Sequence, residues 1–434
     1  MNSITGWGRY PRVSARVWAP RTKRELGRFV SDPRFRGIAR GLGRSYGDSA
    51  LAEAVIDARN LDHLLAFDEK SGALRCGAGL SLDSLLRWSV PRGWFPAVTP
   101  GTKFVTVGGA IAADVHGKNH HREGSFCDHV AGLRLALASG EIVDCSERNH
   151  PELFRATCGG MGLTGVIVDA DIVLRKIGST AIRRKTFRAA DLREALELFD
   201  EHADATYSVA WIDCLAARRG LGRSIVMLGE HDDDGSLELR ASRRLRVPFD
   251  LPSFLLNRHS IRAFNALYYR KELRKRSEST VHYEPFFYPL DGIEQWNRMY
   301  GRNGFTQYQF VVPTDAGREA VTEILGRIAA SGRGSFLAVL KTFGAGNENL
   351  LSFPIRGPTL ALDLKIDRGL FEFLASLDEV VVDYGGRVYL AKDVRMSERT
   401  FKKSYPTWET MQRVRAEVGA VERIGSLQSR RVGM

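Results

Sequence analysis

Hydrophobic positions recur along this chain with two different periods. In the first third they come as short runs cut by glycine. Ile38-Ala39-Arg40-Gly41 reads as a strand ending in a glycine turn, Val55-Ile56-Asp57 as a second strand, and Leu74 to Gly79 as a third. Ser81 to Trp88 has helical spacing, with Ser81 or Asp83 near its start. Leu133 to Leu137 followed by Glu141-Ile142-Val143 predicts a hairpin across Ala138-Ser139-Gly140, and Gly165 to Val168 opens a strand that continues through Leu174. After Gly178 the texture changes. The pattern predicts helices over 190–202 and 316–330, with strands over 208–213, 223–229, 308–312 and 335–340. Thr359 to Ile366 sets Leu360, Leu362, Leu364 and Ile366 on one side of a strand. Phe371 to Leu377 reads as a helix and Val380 to Val382 as part of a strand. The class is α+β, and the second part is expected to be a sheet backed by helices.

Length adds that 434 residues exceed one ordinary core, so two domains are expected. No apolar run approaches the roughly 18 residues of a membrane span. Arg9, Arg12 and Arg16 interrupt the N-terminal residues, so no secretory signal is visible, and a cytoplasmic or peripheral inner-membrane location is expected. The five cysteines form no CxxC pair, which points to free thiols. A net charge of +12 suits nucleic acid, an anionic membrane surface or a phosphorylated substrate, or reflects a basic proteome background. Nucleic acid is the weakest of these, because no zinc finger, helix-turn-helix or RNA-binding aromatic motif accompanies the charge. Part of the excess is local. Between Arg258 and Arg276 stand seven Lys/Arg and one Glu, interleaved with Ile261, Phe264, Leu267, Tyr268 and Tyr269. A basic amphipathic segment over 251–280 can lie on an anionic membrane, and equally it can be a solvated surface helix or mobile loop.

Three glycine-rich turns carry the candidate chemistry. The first is Ala39-Arg40-Gly41-Leu42-Gly43-Arg44-Ser45-Tyr46-Gly47-Asp48, the second runs from Pro100 to Gly109, and the third is Cys158 to Gly165. Glycine frees backbone amides to cradle an anion, and Arg40 or Arg44 could add charge. The first turn is not a dinucleotide fingerprint, since Tyr46 stands where GxGxxG needs glycine, and no GK[ST] follows it. Three such turns in one domain suggest a long cofactor threaded between backbone segments. His116, His120, His121 and His129 invite a metal. But an adjacent pair points apart and no HExxH is present, so no metal is expected. There is no GxSxG and no cysteine in a protease context. Lys118, Lys341 and Lys392 lie near glycine-rich or aromatic strand ends, which suits an anionic ligand or a reduced cofactor.

Ala39 to Asp48, Val107-Gly-Gly-Ala-Ile-Ala112, His116-Gly-Lys-Asn-His-His121, Gly162-Leu-Thr-Gly165 and Tyr389-Leu-Ala-Lys-Asp393 together resemble the vanillyl-alcohol oxidase superfamily of flavoproteins. Within it the chain is most similar to the decaprenylphosphoryl-β-D-ribose 2-oxidases. The likeness extends through Ser208 to Asp213, Phe305 to Phe310 and Leu351 to Ile355. It implies a PCMH-type FAD-binding domain over 1–179, completed by a C-terminal return over 386–434, with a substrate domain inserted over 180–385. Carried over by position, Ala39, Arg40, Gly41, Leu42, Gly43, Arg44, Ser45, Tyr46, Gly47, Asp48 and Ser49 would line the FAD diphosphate. Gly101, Thr106, Val107, Gly108, Gly109, Ala113, Asp114, Val115, His116, Ile167 and Tyr389 would complete the FAD site. Lys392 and His116 are the implied catalytic residues. Tyr46, Lys118, Trp211, Gln307, Gln309 and Lys341 would bind substrate. The chain departs from its relatives at Ala361, where inhibitor-targeted members have cysteine, at Thr359 in place of asparagine, and at Phe287 in place of tyrosine.

The resemblance implies FAD-dependent oxidation of the C2 hydroxyl of a polyprenyl-phosphate pentose to a 2-keto sugar. A short-chain dehydrogenase partner would then reduce the ketone, giving net epimerisation in cell-envelope arabinose synthesis. The alternatives are a soluble sugar, polyol or aldonolactone oxidase of the same superfamily, and a non-catalytic flavin-binding or nucleic-acid-binding protein.

Overall fold

The computed structural model describes residues 2–240 and 245–434. Two β-systems share the first lobe. Asn2–Thr5, Arg12–Trp18, Ala54–Asp57 and Ile38–Arg40 form a small sheet in that order, whose last three strands run parallel. Leu64–Phe67, Ala73–Gly77, Val166–Lys176, Val130–Ala136 and Ile142–Cys145 form the second sheet, and Trp94–Pro96 also pairs with Val166–Lys176. The hairpin expected across Gly140 is present, with Ala136 opposite Ile142, and Gly140 takes φ +88° at the turn. Of the two candidate caps for the helix Leu82–Ser89, Ser81 serves, its hydroxyl accepting from the Ser84 amide.

The second lobe is an eight-stranded antiparallel sheet. Its order is Arg276–His282, Ala181–Ala189, Ser224–His231, Tyr207–Ile212, Ala338–Phe343, Gly357–Lys365, Phe305–Val311 and Arg387–Val388. The period of two sorts its side chains. Leu360, Leu362 and Leu364 join Phe310 and Tyr308 in a core with Ala320, Val321, Ile324 and Ile328 of the helix Thr314–Ser331. Thr359, Ala361 and Asp363 therefore point the other way, across from Val311, Gln309 and Gln307. Residues 380–382 are not a strand. Leu370, Leu374, Leu377 and Val381 keep a spacing of three to four, and the helix Leu370–Asp383 runs straight through the β-branched run.

The C-terminal helices Glu398–Ser404, Trp408–Glu417 and Leu427–Arg431 come back to the first lobe. The Gly425 amide donates to the Gly37 carbonyl, Leu427 to Leu51, and Arg431 pairs with both Asp48 and Asp393. Arg415, fully buried without a carboxylate partner among the described residues, donates to the carbonyls of Leu163, Val421 and Ile424 and to Gln412. It ties this return to the third glycine turn.

The basic segment splits in two. Arg258–Lys271 is a helix capped by Asn257, and Arg276–His282 is the edge strand of the large sheet. Ile261 and Asn265 are buried, while Leu267 (70% exposed) and Leu273 (84%) face outward, as do Phe254 (71%) and Phe249 (61%) nearby. No helix among the described residues is long and apolar enough to cross a membrane.

Candidate active site

The three glycine turns converge on one short helix, Val107–Ala112. Thr106 caps it, its hydroxyl accepting from the Gly109 amide at 3.2 Å. The first turn leans on the same cap: a Cβ on Gly41 would stand 2.2 Å from the Thr106 hydroxyl. The third turn closes the other end, where Gly159 donates to the Ile111 carbonyl and Met161 to Ala112. Between these turns and the inner face of the large sheet lies a cavity of about 1300 Å³. Backbone lines one half of it, through Gly41, Gly43, Gly101, Gly108, Gly109 and Gly162, and side chains of the large sheet line the other.

Most of the residues singled out from sequence meet there. Ala39 to Tyr46, Ser49, Gly101, Thr106, Gly108, Gly109, Ala113, Val115, His116, Ile167 and Tyr389 all line the cavity. So do Lys118, Trp211, Gln307, Gln309, Lys341 and Lys392. Four do not. Val107 is buried on the core side of its helix. Gly47 packs against the chain of the C-terminal return, where a Cβ would come within 2.0 Å of the Asp393 carbonyl. Asp48 turns to Arg431. Asp114, at φ +38°, accepts from Ser125 Oγ, the Cys127 amide, Asn347 Nδ2, Asn349 Nδ2 and Ser352 Oγ, so it fixes the backbone leading into His116 without facing the cavity.

At the centre stands His116, its ring within 4.7 Å of Phe343 and 5.2 Å of Tyr389. Gln309 Nε2 donates to His116 Nε2 at 2.9 Å. Burial first, then the charges of Lys341, His120 and Lys392, hold the imidazole well below its usual range, so it is neutral. A neutral ring that accepts at Nε2 carries its proton on Nδ1, and that buried atom has no partner among the described residues. The Tyr389 hydroxyl is committed to the Ala113 carbonyl at 2.9 Å.

Lys392 occupies the same end, its ammonium 4.0 Å from the centre of the Tyr46 ring. Gln307 Nε2 donates to Asp363 Oδ1 at 2.5 Å and to the Tyr46 hydroxyl at 3.4 Å. Burial pushes the Lys392 amine down and the Asp363 carboxyl up, and each charge partly restores the other. Asp363 was not among the sequence candidates. Its only signal was a carboxylate set inside the apolar alternation of Leu360, Leu362 and Leu364. What makes it a site residue is register, which puts it opposite Gln307.

The comparisons with known proteins agree with this geometry. The FAD binding domain family matches residues 14–146. Decaprenylphosphoryl-beta-D-ribose oxidase of Mycolicibacterium smegmatis is 38% identical over 433 residues, covering 96% of this chain and 94% of that protein. The chain belongs to the decaprenylphosphoryl-β-D-ribose oxidase family. It is also 34% identical to an uncharacterised Streptomyces coelicolor protein, over 82% of this chain and all of that one. L-gulono-1,4-lactone dehydrogenase of Mycobacterium tuberculosis is 23% identical over 94% of each chain. As a member of this family the chain is an FAD-dependent oxidoreductase, and the cavity fits that cofactor. Its glycine-lined half offers exposed backbone, Arg40 and Arg44 supply positive charge, and the unpartnered His116 Nδ1–H is a donor for a ring heteroatom. Within the family fold, Ala361 lies between Gln309 and Val339 on the cavity face. The side chain presented to the cavity at this position is therefore a methyl group, beside the Gln309 amide.

Proposed function

We propose that this oxidoreductase takes hydride from C2 of a polyprenyl-phosphate pentose, leaving the 2-keto sugar. A short-chain dehydrogenase would complete the epimerisation in cell-envelope arabinose synthesis. The likeness to the M. smegmatis ribose oxidase across nearly the whole of both chains is the observation that carries the reading. Bound FAD supplies the hydride acceptor. The protein's part is to hold the sugar and manage charge. Lys392 is placed to stabilise the alkoxide that develops as hydride leaves. The hydroxyl proton passes to Lys392, whose amine burial pushes down to about 8 and whose charge Asp363 favours from the same field. Gln307 and Gln309 orient the sugar hydroxyls, and His116 stays neutral and serves as a donor.

The test is a comparison of kcat/KM for a prenyl-phosphoryl ribose with that for free pentitols and aldonolactones. The lipid-linked sugar is expected to win by at least about a hundredfold, since uniform binding of tail and phosphate adds several kcal/mol. Equal or better turnover of a free lactone would instead place the chain functionally beside the L-gulono-1,4-lactone dehydrogenase it also resembles.

A lipid-linked substrate has to be reached at a membrane. The cavity opens beside the helix Arg258–Lys271, where Leu255, Phe264 and Lys271 sit at its wall and Phe254, Leu267 and Leu273 stand exposed. Arg262, Arg270 and Arg274 are solvent-exposed on the same segment. Each basic residue near an anionic surface contributes about 1 kcal/mol. Reversing all three to Glu should therefore weaken binding to phosphatidylserine-containing vesicles by roughly two orders of magnitude or more, measured by sedimentation. Unchanged binding would remove the membrane role.

A further inference from the structure

Two half-buried amines line the cavity with no carboxylate partner among the described residues. Lys118 donates to the Phe286 carbonyl, and Lys341 to the Gly117 carbonyl at 3.3 Å. The only charges in their immediate field, among the described residues, are positive: Arg184 for Lys118, and Lys118 and Lys392 for Lys341. Burial, with those like charges, pushes both amines down to about 7. Arg184 lines the same cavity and spends its donors on Ser279 Oγ, at 3.2 and 3.0 Å. Asp291 lines the same cavity but accepts from the Thr102 hydroxyl and the Lys103 amide. Three cations facing one space, none in an ion pair with a carboxylate of the described residues, are costly to fold unless an anion enters that space.

Their mutual influence says where the anion belongs. Lys341 stands in the field of both Lys392 and Lys118, and Lys118 in that of Arg184. The same cavity has an aromatic wall: Trp211 packs on Tyr268 at 4.6 Å, and Phe264 stacks on Tyr268 at 5.9 Å and meets Phe336 at 5.8 Å. Phe264 and Tyr268 of this aromatic branch stand on the basic helix Arg258–Lys271 itself.

We propose that Lys118, Lys341 and Arg184 form the seat for the phosphodiester of the substrate, between a sugar held at Lys392 and an isoprenoid chain laid along the aromatic branch. The proposal rests on the substrate class put forward above and names the side chains that read its anion. A phosphodiester bridging sugar and lipid is a permanent monoanion at neutral pH. Against it the two amines hold their protons and make charge-assisted hydrogen bonds.

The probes are farnesyl phosphate, farnesol and inorganic phosphate, titrated into FAD-loaded enzyme and followed by the flavin difference spectrum. Farnesyl phosphate should bind at least roughly tenfold more tightly than either of the others. Lys118→Met and Lys341→Met keep side-chain volume and remove the charge. Each should weaken farnesyl phosphate roughly ten- to a hundredfold, the worth of one charge-assisted hydrogen bond, while changing farnesol less than about twofold. Arg184→Gln, at a partly exposed position, should act in the same direction. Flavin content should match the parent, and the Tm of the ligand-free variants should not fall below it. Equal weakening of farnesol and farnesyl phosphate, unchanged affinity, or loss of FAD from either lysine variant would each overturn the seat. Inorganic phosphate binding as tightly as farnesyl phosphate would overturn the assignment of the aromatic branch to the tail. Charge-selective binding of farnesyl phosphate without turnover of the lipid-linked ribose would sink the proposed substrate and leave the anion seat standing. Turnover with unchanged affinity in the lysine variants would do the reverse.

Discussion

Lys392→Ala should lower kcat by about a thousandfold while leaving FAD in place. The ammonium stands over the Tyr46 ring with Asp363 in its field, and no ion pair among the described residues fixes it elsewhere. Removing one preorganised charge from a water-excluded site typically costs about 10²–10³ in rate. The loss should fall on kcat and kcat/KM alike, the signature of an interaction made only in the transition state. Lys392→Met, which preserves volume, should be equally inactive. Flavin content per chain and the visible spectrum should stay as in the parent, because the glycine turns, and not this lysine, are proposed to hold the cofactor's phosphates. More than a tenth of parental kcat in either variant, or an apoprotein, would remove Lys392 from the chemistry.

The second large effect is expected at Asp114, which touches neither cavity nor substrate. Its carboxylate is fully buried and accepts from five donors, three of them on Asn347, Asn349 and Ser352. Asp114→Ala leaves those donors without an acceptor, each costing about 1–3 kcal/mol when buried, less what entering water returns. A destabilisation of at least about 3 kcal/mol is expected in urea unfolding, with FAD release on purification, since the same residue sets the backbone that presents His116. Asp114→Asn keeps one accepting oxygen and should fall between. A change under about 1 kcal/mol would show that the network is redundant.

How far the site could be read from sequence depended on whether its signal was local. The glycine turns were visible because glycine marks close backbone approach wherever it clusters, and Gly41 against Thr106 is such an approach. The strand over 359–366 was visible because alternation reports a half-buried face. The residues that alternation sends to the opposite face, Thr359, Ala361 and Asp363, acquire meaning only through their partners across the register. Arg184 was opaque for the same reason, being one basic residue among several on the strand Ala181–Ala189 until pairing aimed it at the cavity. Asp114 was placed at the cofactor by its neighbours in sequence, yet its work is to bind a loop more than two hundred positions away. Residues 380–382 misled because three consecutive valines suggest a strand, whereas the longer spacing from Leu370 to Val381 decides for helix.

A lipid-linked pentose is proposed to give its hydride to a flavin held between the three glycine turns and the inner face of the large sheet. An anaerobic visible spectrum, recorded before and after one equivalent of prenyl-phosphoryl ribose, is the decisive experiment. The protein should be yellow, be bleached by this compound within a turnover, and stay oxidised with free pentitols. A protein that stays yellow with the lipid-linked ribose, or that free polyols bleach just as readily, would contradict the proposed hydride transfer.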